Sequence, residues 1–77
     1  MIAELIKRVE RCSDRKGYKA FRVDLDRVII ASSMCGLCQI RAETWLEKLS
    51  ELSDWQLAGY IETYRAGWLD PFAGYNL

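Results

Sequence analysis

The run Leu52-Ser53-Asp54-Trp55-Gln56-Leu57 constrains the fold most, because it joins two helices with almost no loop. Upstream, Cys38, Ala42, Trp45, Leu46, Leu49 and Leu52 recur at helical spacing, while Arg41, Glu43, Glu47 and Lys48 lie mostly off that stripe. Ser53 then reads as an N-cap with Gln56 at the third helical position, the reciprocal pattern of a capping box. Leu52 and Leu57 bracket the cap in nearly the staple arrangement. Leu57, Tyr60, Ile61, Tyr64 and Trp68 carry a last helix to about Ala66, and Gly67 is free to end it with a positive φ. Two helices abutting at Ser53 form either a corner or a helical hairpin.

The N-terminal half is less uniform. Ile2, Leu5, Ile6, Val9 and Cys12 form one side of an amphipathic helix over residues 2–13, with Lys7, Arg8, Glu10 and Arg11 covering much of the rest. Ser13-Asp14-Arg15-Lys16-Gly17 reads as its stop, with Gly17 suited to a positive φ. Over 18–25 the period changes: Phe21, Val23 and Leu25 alternate with Arg22 and Asp24, a strand signature. Asp24 or Asp26 then caps a helix beginning at Arg27, or else Val28-Ile29-Ile30-Ala31 is a second strand, as its β-branched content favours. The expected fold is mainly α: three to four short helices with a C-terminal helical hairpin packed on the first helix, and a short β-hairpin or extended segment at about 18–31. An α+β arrangement is the alternative. Residues 1–77 make a single compact domain with an apolar C-terminal tail, 68–77.

Seventy-seven residues support one small core, yet the chain carries three Trp, four Tyr and two Phe. Some of these rings are expected in an interface, either of a homodimer or of a dedicated partner surface. Net charge is zero, but residues 1–27 hold eight basic and five acidic side chains and residues 50–77 hold one and four. No apolar run approaches membrane-spanning length, and Met1-Ile2-Ala3 leads straight into Glu4, Lys7 and Arg8 with no signal-like apolar stretch. A cytoplasmic location is the expectation, and the three cysteines, an odd number, argue against a closed disulfide framework.

Cys35-Gly36-Leu37-Cys38 is the one motif with a chemical meaning. An apolar run precedes it and an amphipathic helix follows, so that residues 27–49 locally resemble the active-site turn of thioredoxin-like proteins. The resemblance implies a thiol redox protein, with Cys35 activated at a helix N-terminus and Cys38 resolving the mixed disulfide. That fold also needs further strands and a cis-proline facing the cysteines, whereas the sole proline is Pro71. As metal ligands, Cys12, Cys35 and Cys38 are the candidates, but with no histidine in the chain a closed four-ligand zinc site needs carboxylates or a second chain. No metal or cofactor is therefore expected, and buried cysteine is the ordinary role for Cys12 and Cys38.

The lack of histidine also removes the commonest general base, and the five glycines form no phosphate-binding loop. Nucleic-acid binding is disfavoured. Lys7, Arg8, Arg11, Arg15, Lys16 and Lys19 are interleaved with Glu4, Glu10 and Asp14, and a recognition helix at 54–66 would set Asp54 and Glu62 against Arg65. The sequence points instead to a small non-catalytic protein-binding protein, an adaptor, regulator or inhibitor of a larger partner. Trp68, Leu69, Phe72, Tyr75 and Tyr64 are its partner-binding residues, and Lys7, Arg8 and Arg11 a secondary interaction face. Small accessory proteins of mobile elements such as phages often have this build, and on that analogy the expected partner of this chain is a host regulator or a defence complex. A small dimeric DNA-binding transcriptional regulator is the alternative, and a redox protein using Cys35 and Cys38 the second.

Overall fold

The computed structural model describes residues 2–34 and 36–69. Four helices follow one another: α1 (Ile2–Glu10), α2 (Tyr18–Ser32), α3 (Leu37–Glu51) and α4 (Asp54–Glu62), and no strand occurs among the described residues. The domain is mainly α, as its sequence implies. The extended segment or β-hairpin expected at 18–31 is corrected: these residues lie in α2, the joint-longest helix with α3.

The alternation of Phe21, Val23 and Leu25 has a helical origin. At 100° per residue, Phe21, Asp24, Leu25, Val28 and Ala31 share one face, and all five are buried. Val23 and Ile30 belong to the opposite face and are exposed. Two apolar stripes on one helix, sampled over a short window, imitate a period of two. A cap role for Asp24 or Asp26 is excluded with the strand, since both sit inside the helix.

α2 and α3 form the main hairpin, antiparallel across a short connection, and make the most extensive helix–helix contact in the domain. Gly36 at the start of α3 has φ +81° and ψ −149°, a conformation in which a side chain is strained. The junction at Ser53 is a corner, and α4 packs on α1 and α2, so α3 and α4 do not form the hairpin expected of them. Leu52 is extended there, and the capping box forms as read: the Ser53 side chain accepts from the Gln56 N–H and the Gln56 side chain accepts from the Ser53 N–H. Leu57 is fully buried beneath it.

Both flanking helices are shorter than their apolar spacing suggests. α1 stops at Glu10, and a series of turns carries Cys12 into the core. Gly17 has φ −88°, not a positive value. Its lack of a side chain matters because a Cβ there would lie 2.2 Å from the Ile61 carbonyl oxygen, so α2 begins in backbone contact with α4. α4 ends at Glu62, and the chain from Thr63 to Leu69 folds back over α2. The core joins Leu5 and Val9 of α1, Phe21, Leu25 and Val28 of α2, Leu46 and Leu49 of α3, Leu57 and Ile61 of α4, and Leu69.

Candidate protein-binding surface

The buried polar centre of the domain is Asp24, which helical spacing sets among Phe21, Leu25 and Val28 at 4% exposure. Oδ2 accepts hydrogen bonds from the Tyr64 hydroxyl and from the Gly67 N–H, the latter at 2.7 Å. The Tyr64 oxygen in turn accepts from the Leu69 N–H at 2.9 Å. The positive φ of 97° at Gly67 turns the chain back within reach of Asp24. A carboxylate, a phenol and two backbone amides thus close a chain of satisfied groups that fastens residues 64–69 onto α2. Burial, and then the bond to Asp24, raises the Tyr64 pKa above the ordinary value. Tyr60 is raised as well, first by burial and then by the Asp24 charge.

This latch decides where the aromatic residues of the sequence reading lie. Tyr64 is 5% exposed and Leu69 is fully buried, so both pack the interior instead of presenting side chains to a partner. Trp68 remains on the surface at 43% exposure. Its ring centroid sits 5.8 Å from that of Tyr60 and 5.6 Å from that of Tyr64, and Phe21 backs both tyrosines edge-on at 6.0 and 5.2 Å. Trp68 is therefore an exposed ring on a stack of interlocked rings. Phe72 and Tyr75 lie outside the described residues.

The secondary face is reorganised too. Arg8 turns inward to the α3–α4 corner: Nε meets Asp54 at 2.9 Å, while the other guanidinium nitrogens donate to the Ser50 and Leu52 carbonyls. Those carbonyls stand at the end of α3, where a cation is also favoured by the helix dipole. Lys7 and Arg11 stay exposed. Asp54 is engaged by Arg8, and Glu62 accepts from the Lys16 N–H at 2.7 Å, so two of the acidic groups near α4 hold the fold together. Arg65 falls beyond α4, which leaves Asp54 and Glu62 as the charges on that helix.

A surface that the sequence reading missed lies on the α2–α3 hairpin. Val23 and Ile30 are 61% and 65% exposed on the back of α2. Met34, Leu37 and Ile40 are similarly exposed around the hairpin end. The signal was present as a second apolar stripe at helical spacing, visible only once the segment is taken as a helix. Trp55, on the outer side of α4, is the most exposed large apolar residue of the described chain.

Cys12 is buried and Cys38 half-buried, both as free thiols, while Cys35 lies outside the described residues. The apolar run before the cysteine pair is α2, so the strand that precedes a thioredoxin-like turn is not formed. No group of three potential metal ligands converges among the described residues. A pocket of about 70 Å³ lined by Glu4, Leu5, Arg8 and Ser50 is far smaller than the roughly 300–1,000 Å³ of small-molecule clefts. No helix among the described residues is long and apolar enough to cross a membrane. No protein-family model, curated protein or solved structure matches the chain.

Proposed function

We propose that this chain is a non-catalytic protein-binding domain that acts by occupying a surface on a larger protein, with Trp68 as its anchor. The observation that carries this reading is the posture of Trp68, nearly half exposed yet seated against Tyr60 and Tyr64. A large ring already fixed by its neighbours loses little freedom on binding, and such rings dominate the energetics of protein interfaces. The Asp24 latch supports the same role, because it holds the backbone on either side of Trp68 through Gly67 and Leu69. Phe72 and Tyr75 follow in sequence and would widen the contact. Self-association as a homodimer accompanies this reading, since other large apolar residues are exposed far from Trp68 along the chain.

The test is a titration. The partner is captured from source cells with the full chain, purified, and titrated by calorimetry against the wild type and against Trp68→Ala. Trp68→Ala is expected to weaken binding by about 1–4 kcal/mol while the protein melts within a few degrees of the wild type. Full affinity in Trp68→Ala would overturn the assignment of the anchor. Catalytic turnover of the captured protein by the chain would overturn the non-catalytic reading.

A further inference from the structure

We infer that the back face of α2 binds a second copy of this chain, the two α2 helices lying side by side and parallel about a twofold axis. This deepens the protein-binding reading by naming the occupant of a surface separate from Trp68. Val23 and Ile30 are seven residues apart, two helical turns, so they make one stripe along α2, and Met34 lies exposed just beyond the end of the helix. Asp26 and Arg27 flank that stripe. At 100° per residue they fall on opposite sides of it, and more than half of each side chain is exposed. Arg22 meets Asp26 at 3.0 Å and Arg27 approaches Asp24 at 4.0 Å, which keeps both charges at the edges of the stripe.

The order of these charges selects the partner and its direction. A twofold axis parallel to the helices sets Val23 and Ile30 against the same residues of the second copy, and carries the Asp26 flank of one copy onto the Arg27 flank of the other. Two Asp26–Arg27 pairs then close the seam, one on each side. An antiparallel twofold would set Asp26 against Asp26 and Arg27 against Arg27, and like charges at flanking positions oppose pairing. The parallel arrangement also brings the two hairpin ends together, where Met34, Leu37 and Ile40 continue the apolar surface. A net charge of zero leaves no long-range repulsion between copies. Self-complementarity of one patch with itself is what a twofold dimer requires.

Sedimentation equilibrium of the full chain tests this, with circular dichroism confirming that each variant is helical. The wild type is expected to dimerise reversibly below about 100 μM, and Ile30→Glu to raise the dissociation constant about a hundredfold. Asp26→Arg and Arg27→Asp are each expected to raise it roughly tenfold, and the double exchange to restore it. Direction is read by oxidation in a Cys12→Ala, Cys35→Ser, Cys38→Ser background: Ile30→Cys should form a covalent dimer with itself. A wild type that stays monomeric at 100 μM, a dimer indifferent to Ile30→Glu, or a double exchange as weak as the single ones would overturn the inference. Covalent dimers only from a mixture of Val23→Cys and Ile30→Cys would overturn the parallel direction. None of these outcomes touches Trp68, so a failed dimer leaves the heterologous reading to be judged by its own titration.

Discussion

The two faces of α2 carry similar apolar residues and have opposite fates. On the front, Phe21, Leu25 and Val28 are fully buried, and Asp24 among them has its polar contacts met by Tyr64 and Gly67. On the back, Val23 and Ile30 keep more than 60% of their surface in water. The front is complete without the back, because α1, α3, α4 and the returning chain at 64–69 already close over it. The back face is thus apolar without taking part in the core of the single chain, which is the observation behind the dimer proposed above. The difference teaches that amphipathicity must be judged face by face: α1 has one apolar side and is explained by the core, whereas α2 has two and is explained only half by it.

Substitutions on the front should sharpen this contrast most. Phe21→Ala removes a ring that meets Tyr60 and Tyr64 edge-on, and should cost about 3–5 kcal/mol in chemical denaturation. A loss below about 1 kcal/mol would show that the front face is not the core. Gly17→Ala should come next, at roughly 1–3 kcal/mol, since the added methyl has to displace the Ile61 backbone and not a movable side chain. Gly36 makes an internal control of another kind, because open space surrounds it and strain there comes from φ alone.

Tyr64→Phe should cost about 1–3 kcal/mol by leaving the Leu69 N–H and one lobe of Asp24 without their partner. The same latch predicts a pH dependence. The pKa of Tyr64 is raised in the folded state, so the folded protein holds that proton more tightly than the unfolded chain. The stabilisation is fully present below the ordinary tyrosine value near 10 and declines as pH rises beyond it toward the folded-state value. Tyr60 acts in the same direction. Melting temperature measured from pH 8 to 11 should fall above about pH 10, and less steeply in Tyr64→Phe. A Tyr64→Phe profile as steep as that of the wild type would remove Tyr64 from this account.

Ser53→Ala should cost less, about 1 kcal/mol, through loss of the cap on α4. That cap was fully legible in the sequence, as were the α3 stripe and the mainly helical class, because each depends on residues within one or two turns of each other. The identity of 18–31 was not legible, since two stripes superposed on one helix erase the period that either would show alone. The latch was hidden for a different reason. Asp24 and Tyr64 are 40 positions apart, and a hydrogen bond across that separation leaves no local pattern. Arg8 reads as a surface residue in the sequence for the same reason, since its targets, Ser50, Leu52 and Asp54, lie on another part of the chain. Of the residues proposed for the partner surface, Trp68 is on the surface, while the return of the chain to Asp24 draws Tyr64 and Leu69 inside.

The smallest effect on stability is also the most telling. Ile30→Glu places a charge on the back of the helix whose front carries Leu25, and its melting temperature is compared with that of the wild type at a concentration below the dissociation constant of the wild-type dimer, where association does not contribute. If the back face is free in the single chain, Ile30→Glu should change stability by no more than about 0.5 kcal/mol, and its melting temperature should no longer rise with protein concentration as that of the wild type does. A loss of several kcal/mol at every concentration would place Ile30 in the core of the monomer and contradict the two-faced account of α2.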